Sequence, residues 1–370
     1  MLKSLERTIL DLKRENRYVS YLANWLIRQL SRENIYYYFI KAYRRLIQNN
    51  FPLYVSIEIT NVCNLRCRHC QYHYGVKHYT RDKQFIDIEL FKKIIDEIDQ
   101  YGADVQTGAD GEAFMHKDFM TMLEYACSKK NIGKINFNTN GNLLTKEIID
   151  HMVKFFRGYI FFSVEGDREF HNHLRIGSDY DRVVNNINYL TEKIRVENIN
   201  RIKVGVSLCN VEHTHQSREE FWKEWIDKVD FVVMGEVNDK NGKCISKNPM
   251  TNLTNGKQRR IPCQIPWSTC EICADGTMTP CSVFITRANT HHYGSMGNVN
   301  DMSIFQLWNS DHFNELRQRH LKNTYKSTLC DTCDRWKSQY QLPDELIDNS
   351  YIVKRNGVWT SFSHLREKVV

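Results

Sequence analysis

No stretch of this chain is apolar for long enough to cross a bilayer. The N-terminus, with Lys3, Glu6 and Arg7, also lacks the apolar run of a secretory signal, so the chain is read as cytoplasmic. Cytosolic thiols stay reduced, which argues against a disulfide framework for the twelve cysteines. Metal ligation or catalysis is left for those that cluster. Internal repeats are absent as well. Net charge is nearly absent from the body of the protein: of the total of +7, residues 1–50 hold +6, with ten Lys/Arg against four acids. A body so close to neutral offers no basic face for nucleic acid.

What is present is enough for a large core. The 370 residues are 41% hydrophobic and 12% aromatic, more than one ordinary domain requires. Residues 1–50 contain neither Gly nor Pro and read as a helical extension. Their basic residues interleave with Trp25, Tyr36, Tyr37 and Tyr38, a pattern that suits an anionic membrane surface or a partner, with packing against the main domain as the alternative. Pro52 ends this segment. Residues 51–240 then alternate strands and helices. Apolar, β-branched runs at 53–59, 134–137, 159–164, 202–208 and 230–235, with a weaker one near 104–106, read as strands. Helical spacing recurs at 88–101, 117–130, 145–156, 179–196 and 217–228. Six β/α units predict an α/β fold with a parallel sheet, either doubly wound or curled into a partial barrel. A polar linker at 238–260 opens the second domain (241–336), whose cysteine-rich lobe begins near 261, with a hairpin at Asp275-Gly276 and one helix near 303–320. In the tail (337–370), Arg355-Asn356-Gly357 marks a second hairpin.

The loop after the first strand carries Cys63, Cys67 and Cys70. Three thiolates cannot close a tetrahedral zinc site unaided, although His69 or His73 could complete one. They can hold three irons of a [4Fe–4S] cube and leave the fourth open. The spacing C-x3-C-x2-C directly after a first barrel strand resembles the radical S-adenosylmethionine (SAM) superfamily. The resemblance implies a partial (β/α)6 TIM-like barrel and SAM bound at the open iron. It further implies reductive cleavage of SAM to a 5′-deoxyadenosyl radical, with electrons from a donor such as flavodoxin or ferredoxin. Gly108-Ala109-Asp110-Gly111-Glu112-Ala113 is similar to the family's Gly-Gly-Glu-Pro segment, with Asp110 and Ala113 as departures, and implies that Gly111 and Glu112 meet SAM. By the same resemblance Asn138 and Asn140 lie near the SAM ribose, Ser163 contacts SAM, and Arg175 meets its carboxylate. A turn at Asn140-Gly141 and a surface charge at Arg175 are the plainer alternatives.

A second set, Cys263, Cys281, Cys330 and Cys333, supplies four soft ligands for either zinc or a fully ligated [4Fe–4S] cluster. The surrounding segments, Pro262-Cys263 through Pro266-Trp267, Asp275-Gly276 through Pro280-Cys281, Gly297-Asn298-Val299 and Ile304 through Ser310, resemble the SPASM/twitch domains of radical SAM enzymes. Four cysteines match the twitch arrangement, which implies one auxiliary cluster. Cys270 and Cys273, three apart on a strand, face opposite sides and read as packing. Cys127 reads as core. Cys209, at the end of strand five, and Cys244, in the linker, are candidate hydrogen donors to a substrate radical, with plain packing the favoured alternative.

The leading functional expectation is oxidation or rearrangement of a small polar substrate, such as a sugar or cyclitol, with the auxiliary cluster accepting an electron. A peptide-modifying enzyme is the alternative. A zinc-binding scaffold is the non-enzymatic one.

Overall fold

The computed structural model describes residues 49–70, 81–108, 110–210, 218–236, 262–285, 294–326, 328, 330, 331 and 333, and the strand backbones at 343–347, 352–355 and 358–362. The N-terminal extension (apart from Asn49 and Asn50), the linker and Cys244 lie outside them.

Six parallel strands form the centre: β1 (Tyr54–Ile57), β2 (Asp104–Thr107), β3 (Ile135–Thr139), β4 (Gly158–Ser163), β5 (Ile202–Asn210) and β6 (Phe231–Glu236). They lie side by side in chain order. That order decides between the two expected architectures: a doubly wound sheet reverses direction midway, whereas sequential right-handed crossovers put every helix on one face and curl the sheet. The helices are α1 (Ile88–Tyr101), α2 (Phe119–Ser128), α3 (Lys146–Phe155), α4 (Arg168–Leu174), α5 (Tyr180–Val196) and α6 (Arg218–Trp225). Local chemistry fixes their ends. Asp87 caps α1 through the amides of Glu89 and Leu90, and Thr145, Asp167 and Asp179 cap α3, α4 and α5.

Alternation along the strands separates two environments. Val55, Ile57, Val105, Ile135, Phe137, Ile160 and Phe162 are buried under the helices. Ser56, Gln106, Asn136, Tyr159, Ser163 and Ser207 point the other way and are half-buried, and Asn138 is exposed. A closed barrel fills its interior with bulky branched side chains. Here the concave face carries aromatic side chains, Tyr54, Tyr159, Phe161 and Phe231, towards its N-terminal end and small polar ones, Asn138, Ser163 and Ser207, at its C-terminal mouth.

The C-terminal lobe is built onto this sheet. It comprises α7 (Ile265–Ser268), β7 (Thr269–Ile272), β8 (Met278–Thr279), α8 (Ser282–Ile285), α9 (Ile304–Trp308) and α10 (Asp311–Lys322). Strand β7 pairs in parallel with the free edge of β1, Tyr54 opposite Thr269 and Ile57 opposite Ile272, and returns as β8 through the expected turn at Asp275-Gly276. Three polar contacts lock the junction. Buried Glu58 accepts from Arg81 at 2.8 and 2.6 Å and from the Ala274 amide at 2.8 Å. Glu97 of α1 accepts the first amides of α9, Ile304 and Phe305, at 2.9 and 2.8 Å, a carboxylate at a helix N-terminus. Trp308 donates its indole N–H to the Asn49 carbonyl at 2.7 Å.

Two expectations need correction. The helix predicted near 303–320 is two, α9 and α10, because Ser310 caps the second by accepting from the Phe313 amide and the Trp308 carbonyl is taken by buried Arg317 at 2.7 Å. The stretch read as a tail carries β9 (Pro343–Ile347), β10 (Ile352–Arg355) and β11 (Val358–Phe362). Strand β11 pairs antiparallel with β6, and β10 and β11 flank the predicted Asn356-Gly357 turn. No helix among the described residues is long and apolar enough to cross a membrane.

The Glu58–Arg81 pair yields a stability prediction. Arg81→Met leaves a buried carboxylate without its cation and should cost about 3–5 kcal/mol in chemical denaturation, with much of the loss recovered in Glu58→Gln/Arg81→Met. A single-variant loss under about 1 kcal/mol, the range of exposed pairs, would show that the pair does not hold the junction.

Candidate active site

The chain leaves β1 at Glu58 and enters the loop 60–70 at the C-terminal mouth of the sheet. Thr60 bends it, accepting from the Val62 amide and donating to the Gln84 carbonyl. Its far end is pinned to the end of α4 and the residues just beyond it by Arg68 N–H to Leu174 O, 2.7 Å, and Arg66 N–H to Ile176 O, 2.9 Å. This fixes three thiols at the cavity mouth, Cys67 buried and Cys63 and Cys70 half-buried. Burial pushes the Cys67 thiol up to about 11, with neighbouring Cys70 and Cys63 adding to the rise and Arg175 opposing it. Burial also raises Cys63. Such thiols ionise only when a cation sits among them, as metal ligands do. Donors already face their sulfurs: Leu65 N–H at 3.4 Å and Asn140 Nδ2 at 3.8 Å from Cys63, and Arg175 Nη1 at 3.9 Å from Cys67.

The loop after β2 packs beneath. Gly111 has φ +65°, and a Cβ there would lie 2.4 Å from the Thr60 carbonyl oxygen and 2.7 Å from that of Val62. The Glu112 amide donates to Val62 O at 2.9 Å. The Glu112 carboxylate accepts from Thr139 Oγ1 at 2.9 Å and from the Asn140 amide at 2.7 Å. It ties the ends of β2 and β3 to the cysteine loop, and burial raises its pKa despite these donors. Asn140 passes the connection on, donating to Asn64 Oδ1 at 2.8 Å. Asn138 and Ser163 face the open cavity.

The end of β4 holds the densest charge. Glu165, fully buried, takes Arg175 Nε at 3.1 Å and Nη2 at 2.5 Å on one oxygen and the Cys209 amide at 2.9 Å on the other. His69, Glu165 and Cys209 bring ligand atoms within 4.8 Å of one another. Arg175 already neutralises Glu165 there, so the trio is not short of a cation. Burial, reinforced by Glu165, pushes the Cys209 thiol up to about 12. Cys209 thus sits as a neutral thiol on the wall that carries Cys67 and Cys70. His171, fully buried, accepts from the Glu165 amide at 3.1 Å and meets Ser178 Oγ at 2.8 Å. Sequence reasoning assigned no role to Glu165 or His171. An acid at a strand end with an Arg ten residues on was the available signal.

In the lobe, the Cys263 amide donates to His320 Nδ1 at 3.3 Å, and the Cys333 amide to Cys330 O at 3.3 Å. Cys281, Cys330 and Cys333 pack half-buried on the main core. Cys270 on β7 and Cys273 just beyond its end are fully buried, in two separate packing clusters.

The radical SAM superfamily model matches residues 57–213. A second, the SPASM iron–sulfur cluster-binding domain, matches residues 263–334. The chain belongs to the radical SAM superfamily.

A Pyrococcus furiosus relative, the tungsten-containing aldehyde ferredoxin oxidoreductase cofactor-modifying protein, is 24% identical over 327 residues, 76% of this chain and 88% of its own. The Bacillus subtilis antilisterial bacteriocin subtilosin biosynthesis protein AlbA is 23% identical over 308 residues, 76% of this chain and 65% of its own. Streptococcus suis SuiB bound to precursor peptide SuiA superposes with a TM-score of 0.59 at 16% identity, covering 75% of this chain and 68% of SuiB. BtrN in complex with AdoMet and 2-DOIA gives 0.52 at 14%, covering 78% and 94%.

This radical SAM enzyme with a SPASM domain therefore takes [4Fe–4S] clusters and SAM as its cofactors. The loop fits them: Cys67 is buried and Cys63 and Cys70 half-buried, Cys63 and Cys67 meet N–H donors, and polar side chains line the mouth beside them. Gly111→Ala should force the cysteine loop away and strip the first cluster, so that reconstituted protein holds about four irons rather than about eight. Full iron content in that variant would show that the close approach at Gly111 is dispensable.

Proposed function

We propose that this enzyme abstracts a hydrogen atom from a small, polar, uncharged substrate and completes a two-electron oxidation. In this reading Cys63, Cys67 and Cys70 hold the SAM cluster, and Cys263, Cys281, Cys330 and Cys333 hold one auxiliary cluster. The carrying observation is the fate of the remaining lobe cysteines. Cys270 and Cys273 are 0% exposed in packing positions, which leaves four ligands, enough for one closed cluster. When bound, SAM supplies the 5′-deoxyadenosyl radical, and a closed auxiliary cluster supplies an electron acceptor.

The chain supplies placement. Gly111, through its backbone, and Asn140 shape the cosubstrate side of the cavity, and Glu112 braces them. Asn138 and Ser163 stay with the cosubstrate, and Ser207 offers an uncharged donor and acceptor suited to a substrate hydroxyl. Oxidation at a carbinol carbon removes one hydrogen atom, one proton and one electron. The junction at β1, β7 and Glu58 sets the auxiliary cysteines beside the barrel, so the electron has a fixed destination within the chain. BtrN, bound to AdoMet and 2-DOIA and covered over 94% of its length, supports this reading. Peptide modification is the second reading, favoured by the likeness to SuiB with its bound SuiA and to the bacteriocin biosynthesis protein AlbA. Cys209, as a neutral thiol able to give up a hydrogen atom, serves only a redox-neutral outcome, because a hydrogen atom returned to the substrate radical would cancel the oxidation.

Anaerobic iron and sulfide analysis should give about eight irons for the full chain and about four for Cys63→Ala/Cys67→Ala/Cys70→Ala, which should form no 5′-deoxyadenosine under reductant. Cys330→Ala/Cys333→Ala should keep SAM cleavage and lose the other four. Four irons with stoichiometric zinc in the wild type would overturn the auxiliary site and the oxidation assigned to it.

A further inference from the structure

The resemblance to the superfamily places Arg175 on the carboxylate of SAM, but in this structure its guanidinium is directed elsewhere. Nε and Nη2 grip a single oxygen of Glu165, while Nη1 reaches to 3.9 Å from Cys67 Sγ. Glu165 is 0% and Arg175 8% exposed, so neither exchanges freely with water. The second Glu165 oxygen is tied to the Cys209 amide, and the Glu165 amide to His171. The fork is thus anchored from two strands, with its free edge towards a cysteine sulfur.

We propose that Arg175 is a tuning residue of the SAM-binding cluster: it donates an N–H to the Cys67 sulfur, and Glu165 holds it there. The inference rests on Cys67 being a ligand of that cluster. Hydrogen bonds to cluster sulfurs and nearby positive charge stabilise the reduced, more negative state and raise the reduction potential. In a buried site both effects are weakly screened. Glu165 opposes the charge but not the hydrogen bond. The two residues therefore act on the cluster with opposite sign. Removing Arg175 deletes a donor and leaves an anion, which favours the oxidised cluster. Neutralising Glu165 leaves an uncompensated cation, which favours the reduced one. A pair that merely braced the loop would shift both variants alike or neither.

Potentiometric EPR titration of the full, reconstituted chain reads this directly, on the signal that changes when SAM is added and with SAM then left out. Arg175→Met should lower the midpoint, Glu165→Gln should raise it, and Arg175→Lys should fall between wild type and Arg175→Met. Pulsed EPR on wild type grown with 15N-arginine should show a nitrogen coupling to the reduced cluster that Arg175→Lys loses. This second measurement decides the matter even where the methionine variant fails to load iron, since an absent arginine coupling in the wild type overturns the proposal. Shifts of the same sign, or none, in variants with full iron content would also overturn it. So would an unchanged midpoint in Arg175→Met together with SAM binding weakened by about tenfold or more, about 1.4 kcal/mol, which would place the guanidinium on the cosubstrate. Full first-cluster iron in Cys67→Ala would instead remove the ligand assignment beneath it.

Discussion

Glu58 closes β1 and is 0% exposed, yet it carries a charge that desolvation would forbid without its partners. Arg81 supplies the countercharge through two hydrogen bonds, and the Ala274 amide fills the remaining site. Arg81 comes from the chain beyond the first cysteine loop, and Ala274 from the turn that follows β7. One carboxylate therefore fastens both cysteine-bearing regions to the end of one strand. That strand is itself paired on both edges, by β2 and by β7. The C-terminal lobe is less a separate domain than a continuation of the barrel sheet.

A second constraint is electrostatic. Cys63 and Cys67 lie where burial disfavours the thiolate, and Cys209 and Cys270 lie where it disfavours it further. What separates Cys63 and Cys67 from the packing residues is what stands beside each sulfur. Cys63 and Cys67 have N–H donors within hydrogen-bonding range of sulfur. Cys270, on β7, lies in the apolar core. Cys209 is intermediate, with Glu165 beside it disfavouring a second anion. Similar burial therefore gives two outcomes, a thiolate site and a neutral thiol, within one cavity wall.

Much of this was legible beforehand. Helix 88–101 appears at its expected bounds because Asp87 and Gly102 carry the start and stop signals in side-chain and backbone chemistry. The clustered cysteines stand out by spacing, and Cys270, read as packing, lies on β7 in the main core. Asn138, which the family resemblance placed near SAM, lies on β3 with its side chain exposed. Other features depend on residues that only the fold brings together. The break between α9 and α10 needs Arg317 to take a carbonyl nine residues back. The three strands of residues 343–362 read as a tail because pairing with β6 is a long-range fact. Glu165 and Arg175 are ten residues apart in a pattern that any surface ion pair would match, and only α4 between them turns both inward.

The cavity mouth and the joined lobe bear on each other. Asn138, Ser163 and Ser207 line that mouth, and burying such groups without partners is costly. The direct pairing of β7 with β1 leaves the lobe no hinge at that edge, which fixes the height of Cys281, just beyond β8, relative to the same cavity. Placement of the first cysteine loop and placement of the second cysteine set thus have one origin, the strand that ends in Glu58. A substitution that loosens that end should disturb both together, whereas one on the cavity wall should leave both in place.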